Sequence, residues 1–217
     1  MPGRGTRGGA RRAVAKRAGR YHHGDLRRAL LEAARRLLER EGPLGVCLRA
    51  AARRAGVSQT APYRHFADKE ALLAALAAEG LGELADRMAA ASRAESSPPA
   101  ALRAIGVAYA TTAAQNPNLF RLMFGPEAAD KERYPAVREA GARAYQVLLD
   151  TIGACQRAGA VRGGDPEDLA LAAWSAVHGL SCLIVDGRLT GKAIAGGDAG
   201  SAAVRVTSEL MAGLAPR

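Results

Sequence analysis

Gln59, Thr60 and Tyr63, with Arg49 upstream of them, bring an amide, a hydroxyl, a phenol and a guanidinium into one short stretch of this 217-residue chain. Such groups carry no reaction by themselves. No Ser/His/Asp order, metal-ligand cluster, phosphate-cradling Gly loop or dinucleotide fingerprint accompanies them, so catalysis, a metal and a cofactor are not expected. What these side chains do well is hydrogen-bond. An amide pairs with the edge of adenine, a guanidinium reaches a base or a phosphate, and a small methyl such as that of Ala61 packs on a thymine methyl. The chemistry on offer is the reading of base edges, if the surrounding elements present these residues together.

Those elements are legible. Leu48, Ala51, Ala52 and Ala55 recur at three- and four-residue spacing, which gives a short helix one narrow face of small apolar side chains. Gly56 supplies a position that can take positive φ, Val57 plugs the corner, and Ser58 is a good N-cap for a polar helix over Gln59–His65. Asp68 caps a further helix whose residues Leu72, Leu73 and Leu76 return to core spacing. The whole is a helix-turn-helix, and its second helix is better made for reading than for burial. Upstream, Leu26, Leu30, Ala33, Leu37 and Leu38 line one face of a helix that stops at Gly42-Pro43.

At GVSQTAPYRHFADKEALL the chain resembles the tetracycline-repressor (TetR) family, in which a Tyr, an aromatic and a Lys-Glu-x-Leu close the DNA-binding unit. The likeness extends over Tyr21 to Leu73. It implies double-stranded DNA as partner, a homodimer on a palindromic site, and phosphate contacts from Ser58, Arg64, His65 and Lys69. Cys47 departs from the family pattern, which has Ser or Thr as N-cap of the second helix; a thiol there predicts a cap weaker by about 1 kcal/mol.

Composition supports an all-α fold, because 48% hydrophobic residues with only 4% aromatic make a core of Ala, Leu and Val suited to close-packed helices. Through Glu70 there are 17 Lys and Arg against 6 Asp and Glu, and 14 against 15 thereafter. The positive charge therefore belongs to the half with the turn motif, as expected of a phosphate-binding module joined to a neutral sensing one. The three cysteines are widely spaced, outside any CxxC or zinc pattern, which fits a reducing cytoplasm. The uncharged run Leu169–Val185 is 17 residues, short of a membrane span and read as a buried helix.

The expected organisation is a basic arm over 1–20, a three-helix DNA-binding domain over 21–72, and a helical ligand-binding and dimerisation domain over 73–217. The arm reads either as an electrostatic attachment to DNA or as a solubilising leader. His22 and His23 lead into the first helix near the phosphate backbone. In the third region, helices are expected from Leu72 to about Ala91, from Ala100 to Gln115, over a short piece between Pro117 and Gly125, from Pro135 to near Gly159, from Pro166 to about Val185, and over the last residues. A charged loop at 130–134 precedes the Pro135 helix, and a small-residue loop at 191–201 precedes the last helix. The last two helices are the least polar pair available for a subunit contact.

Trp174 and His178 share a helical face, with Gly179 removing a side chain beside them, and resemble the Trp-His-Gly residues of one TetR-type C-terminal domain. NPNLFRLMFGP resembles the segment preceding it there. Tyr109, Phe120, Met123, Phe124, Tyr145, Trp174 and His178 are the candidates for a pocket taking a small apolar or aromatic effector. The competing reading makes them a closed core. For the whole chain the leading reading is a ligand-responsive, sequence-specific transcriptional regulator; the alternative is a non-sensing architectural or nucleoid-type DNA-binding protein.

Overall fold

The computed structural model describes residues 23–126, 133–189 and 198–216, all helices and connections, with no strand among them. The helices are α1 (His23–Gly45), α2 (Leu48–Ala55), a 3-10 turn (Ala61–Arg64), α3 (Lys69–Arg93), α4 (Pro98–Gln115), α5 (Pro117–Phe124), α6 (Pro135–Arg157), α7 (Pro166–Val185) and α8 (Ala199–Leu214). The arm over 1–20, His22 and most of the two loops at 130–134 and 191–201 lie outside the described residues.

Local rules set most of these boundaries. Helices α4, α5, α6 and α7 all open on proline, whose missing N–H costs nothing where no intrahelical partner exists. That is why α4 begins at Pro98, slightly before the expected Ala100. In α1 the helix breaks at Gly42, φ 68°, and Pro43 starts one more helical turn rather than a loop. Cys47 does cap α2: its Sγ accepts from the Ala50 N–H at 3.4 Å, the long contact of a weak sulfur acceptor.

Two cores would be the simple reading of two modules, but one continuous core runs through both. Leu30, Leu38, Val46, Ala51, Phe66, Leu72 and Leu76 are buried in the amino-terminal unit, and Leu84, Ile105, Phe120, Ile152 and Leu169 continue the same cluster. Helix α3 carries the continuity, since it packs on α1 as well as on α4, α5 and α6. Arg35 of α1 meets Glu83 of α3 in a two-pronged ion pair, Nη2 to Oε2 at 2.8 Å.

Two glycines permit close approach that sequence reading did not single out. A Cβ at Gly80 would lie 2.6 Å from Sδ of Met123, and one at Gly106 would lie 2.6 Å from Cγ2 of Thr207. So α5 seats tightly on α3, and α8 on α4. Gly179 corrects an expectation, for a Cβ there would meet nothing within 4 Å and the glycine makes no room beside Trp174 and His178. Helix α7 is a second correction. Its length and mean hydropathy of 1.6 would pass for a membrane span, yet it packs on α4, α6 and α8 by one face only. Leu171, Trp174 and Leu183 are left exposed, so it is half open rather than buried.

These contacts set a stability contrast. Gly106→Ala should cost about 1–3 kcal/mol by overpacking, whereas Gly179→Ala should be neutral or stabilising by up to about 1 kcal/mol through helix propensity. Urea unfolding of both checks it, and equal effects would contradict the packing described.

Candidate nucleic-acid interface and ligand cavity

The turn after α2 is built as a helix C-cap. Gly56 sits in the left-handed region (φ 71°, ψ 27°), its N–H donates to the Arg53 carbonyl at 3.3 Å, and the Val57 N–H donates to the Ala52 carbonyl at 3.0 Å. Beyond it the structure departs from the expected helix over Gln59–His65. Only Ala61–Arg64 is helical, as a 3-10 turn, and Ser58 is not its N-cap. The Ser58 carbonyl takes the Ala61 N–H at 3.1 Å, while its hydroxyl lies 3.3 Å from that of Thr60. Pro62 is the reason. It has no N–H to return to Ser58 and it is buried, so the chain tightens around it into i→i+3 bonds.

The tight turn still presents the reading candidates outward. Arg49, Ser58, Gln59, Thr60, Tyr63 and Arg64 are exposed, with Ala61 and Lys69 half-buried beside them. Tyr63 is 51% exposed, unusual for so large a side chain without a partner to cover it. His65 differs: it is half-buried, and its Nε2 is enclosed without a hydrogen-bond partner. Arg53 and Arg54, in the last turn of α2, are exposed as well and were not singled out by sequence, where they read as cations favouring a helix C-terminus.

Charge pairing separates this face from its surroundings. Glu83 is engaged by Arg35, and Asp68 and Glu70 are engaged by Arg133, with the Asp68 contact at 2.6 Å. None of Arg49, Arg53, Arg54, Arg64 or Lys69 has an acidic partner among the described residues. The two acids that flank Lys69 are thus engaged by Arg133, while these cations remain without an acidic partner.

The second feature is a cavity of about 410 Å³ inside the bundle of α3 to α8, within the usual range for small-molecule sites. Tyr109, Met123, Phe124, Tyr145 and Trp174 line it, together with Leu84, Ile105, Leu148 and Val177. Phe120 and His178 stand behind that wall, Phe120 buried with its ring 4.9 Å from Phe124 and His178 with its ring 4.7 Å from Phe124. Phe124 and Trp174 are each 37% exposed and mark the mouth.

One polar chain crosses the wall. The Trp174 Nε1–H donates to the Tyr109 hydroxyl at 3.3 Å, that hydroxyl lies 2.8 Å from His178 Nδ1, and His178 Nε2 lies 3.5 Å from Cys182 Sγ. Burial lowers the His178 pKa, keeping the imidazole neutral, and burial raises that of Tyr109. The arrangement that satisfies every group has Tyr109 donating to Nδ1 and the ring proton on Nε2 toward the sulfur.

Both features are those of one family. Residues 30–76 match the model of bacterial regulatory proteins of the tetR family, and residues 102–210 match that of the tetracyclin repressor-like C-terminal domain. The chain belongs to the TetR family of helix-turn-helix transcription regulators. A solved structure from Rhodococcus sp. RHA1, described as a protein of unknown function, is 35% identical with a TM-score of 0.77, covering 91% of this chain and 99% of that one. The transcriptional regulator BetI of Rhizobium meliloti (strain 1021) is 40% identical over 72 residues, 33% of this chain and 36% of that regulator's length. FadR from Bacillus subtilis, solved with stearoyl-CoA, shares the fold with a TM-score of 0.70 at 16% identity, over 86% of this chain and 98% of that one.

The hinge between the reading turn and α3 is the Asp68 cap. Its carboxylate accepts from the Ala71 N–H at 2.7 Å, and that bond, with Arg133 adding to it, holds its pKa below the usual carboxylate range. The cap therefore contributes fully above that range and fades as pH falls through the lowered folded-state value. Asp68→Ala should cost about 1 kcal/mol at neutral pH, with the loss shrinking as pH falls below the usual Asp value of about 3.9. Paired thermal melts read the difference; a gap that stays constant or widens in acid would show that the carboxylate is not the cap.

Proposed function

We propose that the protein is a cytoplasmic, homodimeric transcriptional repressor that binds a palindromic operator and releases it when a small apolar effector fills the cavity, with no catalytic role. The observation that carries the reading is a cavity directly joined to the DNA-binding unit. Phe124 and Met123 line it from α5, and on the same short helix Asn118 donates to the Leu38 and Glu39 carbonyls of α1 at 3.0 and 3.1 Å. Helix α5 is bounded by Pro117 and Gly125 and can shift as a unit. A ligand that binds better when α5 is displaced would move α1 with it and alter the spacing of the two reading turns in a dimer. The acyl chain bound by the FadR relative supports an apolar occupant.

For DNA, Gln59, Thr60, Ala61 and Tyr63 face base edges, and Arg49 reaches a base or a phosphate. Ser58, Arg64 and Lys69 hold phosphates, joined by Arg53 and Arg54; His65 belongs with them through its backbone or Nδ1, since Nε2 is enclosed. The exposed Leu171 and Leu183 of α7 and Val204 of α8 supply the subunit contact.

In binding assays on a duplex recovered by in vitro selection, Gln59→Ala should lose about 1–3 kcal/mol, concentrated at one base pair per half-site. Lys69→Ala should weaken all duplexes alike and flatten the salt dependence. Binding to any duplex with the same affinity, abolished by moderate salt, would instead indicate an architectural DNA-binding protein.

A further inference from the structure

We propose that the cavity takes an anionic amphiphile, its hydrocarbon body inside and its charged head at the mouth against Arg138. This rests on the cavity being an effector site and adds which end of the effector carries charge. The interior is the first argument. Its few polar groups are already spent on the protein: the Tyr109 hydroxyl bonds with Trp174 and His178, the Tyr145 hydroxyl donates to Glu167 at 3.1 Å, and the Thr207 hydroxyl donates to the Ala203 carbonyl at 2.8 Å. A polar group carried to the inner end of the cavity would be stripped of water and find no free partner, a penalty a hydrocarbon does not incur. Allowing roughly 30 Å³ for each water-sized group, the volume of about 410 Å³ accommodates a chain or ring of modest length.

The mouth is the second argument. Arg138 is the one charged residue among those lining the cavity. It is exposed, and no acid pairs with it among the described residues. Arg121, Arg133 and Arg143 are held by acids, whereas Arg103, like Arg138 without an acidic partner among the described residues, lines no part of the cavity. The adjacent Glu139 lines a different groove, with Arg27 and Arg143. Around Arg138 the exposed Phe124, Ala142 and Trp174 make the rim apolar, so a carboxylate or phosphate held there loses part of its water and its attraction to a guanidinium is less screened than on open surface. A free acid and an acyl chain on a phosphate-bearing carrier share this chemistry.

Trp174 is the only tryptophan and lines the cavity, so its fluorescence reports occupancy in the full chain. Titrations with decanoate, decanoyl-CoA and 1-decanol, in the native chain and in Arg138→Gln and Arg138→Glu, carry the test, with Arg103→Gln as a surface control. One or both anions should bind at least about tenfold more tightly than the alcohol. Arg138→Gln should reduce that preference and Arg138→Glu should bring it to within about twofold, with Arg103→Gln unchanged and added salt acting in the same direction. Preference for decanoate assigns the free acid, and preference for decanoyl-CoA alone assigns the carrier-linked head. Equal binding of anions and alcohol, or a preference that survives Arg138→Glu, would overturn the proposal and leave the cavity as an effector site. Failure of all three compounds to perturb Trp174 would overturn both.

Discussion

Helix α3 belongs to both halves of the molecule, and the rest of the structure depends on that sharing. It is 25 residues long, about 37 Å at the usual rise. Asp68 anchors its start to the reading turn, Leu72, Leu73 and Leu76 close the amino-terminal core, and Leu81, Leu84 and Met88 form one wall of the cavity. Because apolar interiors are close-packed, a displacement at the cavity wall is not absorbed locally. The two-pronged Arg35–Glu83 pair fastens α1 to the same helix, and the Asn118 amide ties α1 to α5. Three elements thus meet at the later turns of α1, the junction through which the proposed effector response would pass.

Electrostatics divides the surface by a related logic. Asp68 and Glu70, beside the reading turn, are engaged by Arg133 of the segment just before α6. Those exposed pairs add little stability. Their consequence is the field they leave: cations of α2 and the turn face outward without compensation. Within the bundle the opposite holds, since every hydroxyl along the cavity wall has a partner and, Arg138 at the mouth apart, the lining offers a ligand mostly hydrocarbon.

Much of this was legible in the sequence, for identifiable reasons. Gly56 at a forced left-handed cap, Asp68 at an N-cap and the prolines at 117, 135 and 166 are local signals, and their helices begin or end where those residues place them. The helix expected over Gln59–His65 fails at one residue: burial of the Pro62 ring tightens the segment to a 3-10 turn and moves the N-cap position from Ser58 to Thr60. Gly80 and Gly106 were invisible because their meaning lies in partners far along the chain, Met123 and Thr207, while Gly179 had a suggestive neighbourhood and no contact. Tyr109, Met123, Phe124, Tyr145 and Trp174 were brought to one cavity, whereas Phe120 and His178 face the wall's far side, a distinction of side-chain direction that spacing alone does not resolve. Arg138 went unnoticed as one more surface arginine.

In the proposed response, α5 transmits occupancy of the cavity to α1 through Asn118. Linkage requires a selected operator duplex and a cavity-binding compound such as decanoate or decanol to weaken each other's binding by the same factor in the native protein. The direct measurement is that factor in Asn118→Ala, taken both by duplex titration with and without compound and by Trp174 fluorescence with and without duplex. The account predicts that the factor falls toward one while each ligand alone binds within about threefold of its native affinity. A coupling factor in Asn118→Ala equal to that of the native chain would contradict it.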